Sequence, residues 1–103
     1  MKSMKATRQS VYSQILKALS DDVRFDIVML LSTGPKCVCE IFEKLKLKQS
    51  IVSHHLGVLR ENDLVEVNKN GKWVYYAVNR KKLMELQQFI EKIILTKEKK
   101  SKC

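Results

Sequence analysis

Proline and glycine are scarce in this chain, with one Pro and three Gly in 103 residues. So little punctuation excludes a loop-rich architecture and suits helices. No run approaches the ~18 to 20 consecutive apolar residues of a membrane-spanning helix. The opening stretch MKSMKATRQSVYSQ also lacks the apolar core of a secretory signal. Together these absences predict a cytoplasmic protein with no membrane partner. Cysteine is scarce and odd in number: Cys37, Cys39 and Cys103 do not make a disulfide framework and stay reduced in a cytoplasm. There is no phosphate-binding glycine loop and no Cys-x-x-Cys spacing, and no βαβ pattern accompanies the thiols. A nucleotide-dependent enzyme and a small thiol oxidoreductase are both disfavoured on that ground. The length suits one compact domain over residues 1–103 and is short for an enzyme that needs a deep cleft as well as a core.

What is abundant is positive charge. The formal net charge is +9, and residues 1–19 carry four Lys/Arg with no acid, while residues 80–103 carry eight Lys/Arg against three Glu. The middle of the chain is neutral. Basic ends on a small protein point to a polyanionic partner, with nucleic acid first. Residues 96–103 read as a frayed basic tail.

The periodicity predicts five helices and a hairpin. Val11, Ile15, Ala18 and Leu19 place a first helix over Ala6 to Leu19. Ser20 reads as the N-cap of a second helix, with Asp21 and Asp22 in its first turn. Phe25, Ile27, Val28, Leu30 and Leu31 leave that helix little polar surface, which predicts a buried helix, and Gly34-Pro35 ends it. A short third helix, Val38 to Leu45, and a fourth, Gln49 to Asn62, lie close enough in sequence to form a helix-turn-helix unit. The period then falls to 2 through LVEVNKNGKWVYYAV, where Asn70-Gly71 suits a type I′ turn. A last helix, Arg80 to Leu95, carries Leu83, Leu86, Ile90, Ile93 and Ile94. So small a domain has little core left to cover that stripe, which predicts a homodimer using the last helix and the first.

In the fourth helix Val52, Leu56 and Leu59 face the core and turn Ser50, Ser53, His54 and Gly57 outward. That face is short and polar, as a helix entering a major groove must be, and Gly57 lets the backbone come close. Lys48 and Gln49 at its start and Arg60 near its end extend the predicted contact set. Lys69, Asn70 and Lys72 at the hairpin tip add contacts to phosphates or the minor groove, whereas Trp73, Val74, Tyr75 and Tyr76 are assigned to strand packing. His55 borders the core and reads as a packed, hydrogen-bonded residue. Adjacent helical residues diverge by roughly 100°, so His54 and His55 do not face one ion.

The succession of the Ser20-Asp21 helix start, CVCEI, QSIVSHHLGVLRENDLV and NKNGKWVYYAV resembles the ArsR/SmtB family of winged helix-turn-helix metalloregulators, over about residues 13–95. The resemblance implies a mainly α fold of about five helices with a β-hairpin wing. It also implies a homodimer through the first and last helices, and a repressor that holds operator DNA until an inducer arrives. Cys-Val-Cys at this place is similar to the motif of members that sense arsenite, antimonite or soft divalent metals. As(III) or Sb(III) is therefore the first expected inducer, with Cd(II) or Pb(II) next.

Cys37 and Cys39 lie where a helix begins, and Lys36 beside them adds positive charge, so thiolates are expected there. Inside a regular helix, residues i and i+2 point roughly 200° apart. One ion, or a disulfide, would thus require that turn to unwind, and this conflict is the expected switch. A redox or persulfide switch at the same pair is the second reading. Phe42 occupies the position of a third cysteine in the best-known arsenite sensors of the family, and the last helix lacks the Asp and His ligands of its zinc sites. Cys103 either supplies a third thiolate, if the tail folds back, or is a terminal residue without a role.

Overall fold

The computed structural model describes residues 7–101. Helix α1 (Arg8–Leu19) opens on Thr7, whose hydroxyl accepts from the Ser10 N–H at 3.0 Å while the Thr7 N–H donates to the Ser10 hydroxyl at 2.8 Å. The expected start at Ala6 lies outside the described residues. Helix α2 (Asp22–Leu31) is capped by Asp21 rather than Ser20. Asp21 Oδ1 accepts from the Val23 and Arg24 N–H groups at 2.9 and 3.1 Å, whereas Ser20 closes α1 by donating its hydroxyl to the Lys17 carbonyl. A carboxylate carries a full negative charge to the positive helix end, so Asp outcompetes the neighbouring Ser for the cap.

Helices α3 (Val38–Leu45) and α4 (Gln49–Glu61) form the helix-turn-helix. The turn depends on Lys46, whose left-handed φ of 57° ends α3 and lets the Leu47 N–H reach back to the Phe42 carbonyl at 3.0 Å. Asp63, also at φ 57°, ends α4 in the same way, with the Leu64 N–H on the Leu59 carbonyl at 2.9 Å. Strands β1 (Val65–Asn70) and β2 (Trp73–Val78) pair antiparallel, from Val65 opposite Val78 at the buried root to Asn70 opposite Trp73 at the tip. The two turn residues are therefore Gly71 and Lys72. Only Gly71 has a positive φ, 63°, as a type II′ turn requires, so the turn sits one residue later than expected and is not type I′. A bridge outside the hairpin joins it to the helix-turn-helix: Lys36 donates to the Tyr76 carbonyl at 3.0 Å, and Tyr76 donates back at 2.8 Å.

The core is one cluster in which Ile15, Ile27, Leu31, Ile41, Val52, Leu56, Leu59 and Leu64 are almost wholly inaccessible. It draws on α1 to α4 and on the start of the hairpin. Helix α5 (Arg80–Leu95) is capped by Asn79 and joins through Leu86, Leu83 and Phe89, the last stacked on Tyr12 with ring centroids 4.5 Å apart. The rest of its stripe is uncovered, with Ile93 and Ile94 among the most exposed apolar residues. Two expectations fail here. Helix α2 is not buried all round, since Phe25 and Met29 are 52% and 55% exposed. Trp73, assigned to strand packing, is 56% exposed because the pleat turns it away from the core face that holds Val74, Tyr76 and Val78.

Truncating Ile27 to Ala removes a fully buried side chain at the centre of this cluster. The expected loss is about 2–5 kcal/mol in urea unfolding at fixed protein concentration. A loss below about 1 kcal/mol would show that Ile27 is not a central core residue.

Candidate DNA-contacting surface and thiol pair

Burial of Val52, Leu56 and Leu59 fixes the rotation of α4 and leaves Gln49, Ser50, Ser53, His54, Gly57 and Arg60 exposed together. Ser50, His54 and Gly57 follow at i, i+4 and i+7, along the middle of the outward face. Two residues missing from the sequence-based set share that surface: Ile51, 39% exposed, and Glu61 at the far end. Their helical angle gives them away, but an apolar and an acidic residue do not resemble groove contacts. A Cβ built on Gly57 meets nothing within 4 Å. The fold itself thus does not require glycine there. Lys48 holds the N-cap position without a side-chain cap, so the Gln49 and Ser50 N–H groups have no capping side chain. Lys69, Asn70 and Lys72 are exposed at the wing tip.

His55 is turned inward as expected. Its Nδ1 lies 3.0 Å from Arg24 Nη1, and Arg24 Nε donates to the Ala18 carbonyl at 2.7 Å. Because the guanidinium has only donors, Nδ1 accepts and the ring proton sits on Nε2. Burial depresses the His55 pKa, helped by the Arg24 charge and opposed by Asp21 at 3.9 Å. The Asp21 carboxyl is lowered by the N–H bond from Arg24 and by that guanidinium's charge.

The cysteine pair differs from its expected geometry. Cys37 is the N-cap of α3, with extended φ −79° and ψ 163°, and so lies outside the helix. Its sulfur therefore swings beside that of Cys39, at 2.9 Å, and no helical turn has to unwind to bring the two together. Glu40 closes the arrangement. Its Oε1 accepts the Cys37 N–H at 3.2 Å and lies 3.4 Å from the Cys37 sulfur, and that N–H bond lowers the Glu40 pKa. Cys37-x-x-Glu40 is a capping box with Cys in the place of Ser, a signal readable in the sequence.

A free thiolate is not favoured at Cys39. The hydrogen bond with Cys37 is the main cause that pushes the Cys39 thiol above its ordinary range, followed by desolvation. The Lys36 ammonium is bonded to the Thr33 hydroxyl and the Gly34 carbonyl, at 2.9 and 3.2 Å, and does not bond to either sulfur. Among the described residues no three His, Cys, Asp or Glu side chains are grouped to hold a metal ion. Phe42 packs against the core, and Cys103 lies outside the described residues.

Residues 21–67, which run from the Asp21 cap into the wing, match the family model described as "Bacterial regulatory protein, arsR family". The chain is 38% identical to the arsenical resistance operon repressor of Staphylococcus xylosus, over 88% of this chain and 86% of that protein. This chain belongs to the arsR family. An arsR-family chain is a transcriptional regulator and not an enzyme, which disposes of the thiol oxidoreductase. It is also 34% identical to a homologue of the cadmium resistance transcriptional regulatory protein of Staphylococcus aureus, over 81% of this chain and 67% of that one. An ArsR-like transcriptional regulator from Rhodococcus shares the fold, with a TM-score of 0.78 at 24% identity, over 82% of this chain and 80% of its own. The five helices and two-stranded wing are thus the winged helix-turn-helix of this family. No helix among the described residues is long and apolar enough to cross a membrane.

Two predictions follow from these side chains. Replacing Gly57 by Ala is expected to stabilise the fold by about 0.5–1 kcal/mol, since alanine is the better helix former and has room. The same change is expected to weaken operator binding in fluorescence anisotropy, and undiminished affinity would show that no DNA group approaches that backbone. For His55, the unfolded imidazole takes its proton near about pH 6.5, whereas the folded ring resists it. Stability is therefore complete above that pH and falls as the pH drops toward the depressed folded value. Urea midpoints from pH 8 to 5 are expected to show this fall in the wild type and a flatter profile in His55→Gln; equal profiles would refute the assignment.

Proposed function

We propose that this arsR-family repressor binds a near-palindromic operator as a homodimer and is released when a thiophilic inducer joins Cys37 to Cys39. The 2.9 Å approach of the two sulfurs at the entrance to the helix-turn-helix carries the reading. As(III) or Sb(III) is the first inducer class, with Cd(II) or Pb(II) next, in line with the arsenical and cadmium resistance names of the two relatives. Soft ions suit thiolate donors. Cys103 is the candidate third thiolate. The exposed apolar residues Ile90, Ile93 and Ile94 on α5 and Leu16 on α1 support the first and last helices as the dimer interface.

The operator side of the proposal uses Ser50, Ser53, His54 and Gly57 at the groove. Lys48, Gln49 and Arg60 flank them, and Lys69, Asn70 and Lys72 meet the backbone. Between the two sites runs a short path of backbone and hydrogen bonds. Cys37 follows Lys36, whose backbone is bonded to Tyr76 on β2, and β2 leads to the wing tip. Holding one ion at bonds of about 2.3 Å and a near-tetrahedral angle requires the sulfurs to move apart. That displacement loads the Cys37 backbone, and through it both α3 and the wing. By linkage, bound DNA weakens inducer binding by the factor with which inducer weakens DNA binding.

A second reading has one observation in its favour. Sulfurs already in contact are placed for oxidation to a disulfide, and persulfidation of either thiol would disturb the same cap.

The test is fluorescence anisotropy of the reduced protein on its upstream promoter DNA, titrated in parallel with arsenite, antimonite, Cd(II) and an oxidant. Release by arsenite that disappears in Cys37→Ser is the expected result, while release by oxidant alone favours the second reading. In the same assay Lys72→Ala is expected to reduce the slope of log affinity against log salt by about 1, with little change in sequence preference.

A further inference from the structure

One face of the wing is turned away from the core. Directly opposed residues share a face of a hairpin, so the register that buries Val65 and Val78 at the root puts Trp73 with Asn70, and Tyr75 with Asn68, on the other side. Trp73 belongs neither to the core cluster nor to the partly buried residues packed on it. A single exposed apolar residue needs no explanation. Here an indole 56% exposed lies in line with a half-exposed tyrosine, and two exposed asparagine amides oppose them. We propose that this face enters the minor groove of the operator and that Trp73 makes A·T pairs there part of what the protein recognises. The inference rests on operator binding as proposed above and adds to it a contact residue and a base preference.

Charge and reach select DNA as the occupant. Lys69 and Lys72 flank the indole at the tip, and no acid occurs between Glu66 and Glu85, a stretch that also holds Arg80, Lys81 and Lys82. Glu66 is on the same face but lies at the root, beside Val65. A surface of this sign is attracted to phosphates. Only Asn62, Asp63 and Leu64 separate α4 from β1. With α4 in a major groove, the six-residue strand carries the tip about 20 Å from that junction, far enough to cross a phosphate backbone to the neighbouring groove. The minor groove, about 6 Å across, admits a flat ring edge-on but no strand.

The chemistry of the indole sets the base. Its Nε1–H donates and accepts nothing. In the minor groove A·T and T·A present only acceptors, whereas G·C adds the guanine N2 amino group, a donor. Against that amino group the indole would set donor on donor, and an N–H taken out of water without an acceptor is destabilising. Trp73 therefore selects A·T over G·C without telling A·T from T·A. The amides of Asn68 and Asn70 both donate and accept, so they add contacts to either pair and oppose neither.

The chain has one tryptophan, so its emission reports Trp73 alone. The full reduced chain is titrated with its upstream promoter DNA while DNA anisotropy and acrylamide quenching of the indole are read in the same samples. Binding is expected to be accompanied by a loss of quenching. Each A·T pair of the shortest DNA that binds is then replaced in turn by G·C and by inosine·C, which keeps the major-groove edge of G·C but lacks the N2 amino group. At the pairs under the wing, G·C is expected to weaken wild-type binding by about tenfold, and inosine·C to restore it. Trp73→Phe keeps a ring but has no N–H, so it is expected to bind the A·T and G·C forms equally, with the salt slope and urea midpoint of the wild type. Binding that leaves the quenching unchanged overturns the inference and keeps the operator reading. So does a G·C penalty that inosine never relieves, or one that persists in Trp73→Phe. Protection of the indole that follows protein concentration without DNA assigns the face to a second copy and overturns it as well. Absence of any anisotropy change overturns the operator reading itself and the inference with it.

Discussion

Much of this structure depends on the backbone of Cys37 being extended. Residue 36 is held in a two-bond bridge to the wing, and residue 38 begins a helix, so residue 37 must join strand-like to helical geometry in one step. An N-cap does this by definition. The consequence is chemical as well as structural. A side chain at an N-cap lies over the first helical turn, and placing a sulfur there brings it onto the sulfur two residues later. Serine in the same place would make an ordinary capping box. Cysteine makes a dithiol at the point where the wing and the helix-turn-helix meet.

The outward face of α4 follows from a different constraint, the demand of a small core for three apolar residues on one stripe. Once Val52, Leu56 and Leu59 are buried, no freedom of rotation remains, and a polar strip is presented whatever its use. Two local features of that strip lower folding stability rather than raise it. A mid-helix glycine has open space where a methyl group would fit, and the helix start lacks a capping side chain. Neither the glycine nor the uncapped start is demanded by packing within the fold.

How far the sequence revealed this arrangement depends on the range of the interaction responsible. The elements were legible because apolar spacing and the Gly-Pro and Asn-Gly breaks are local signals. The inward set of α4 and the inward turn of His55 were legible for the same reason. The cap of α2 was misread by one residue because Ser20 and Asp21 both suit the role, and only the carboxylate's charge decides between them. The thiol geometry was misread because a helical wheel was applied to a residue outside the helix. The bridge that stretches Cys37 comes from Tyr76, about forty positions away, and no pattern near CVCEI announces it. Exposure of Phe25 and Met29 was likewise invisible, since an apolar helix shows no preferred face until its neighbours are placed.

Arg24 has a mechanical consequence. Its guanidinium bonds to the last turn of α1 and to His55 on α4, while its own backbone N–H is held by the Asp21 carboxylate. Three helices are pinned at one side chain. A tilt of α4 alone would strand a charged group with fewer partners. Movement of α4 relative to α1 and α2 therefore has to break the bonds made by Arg24.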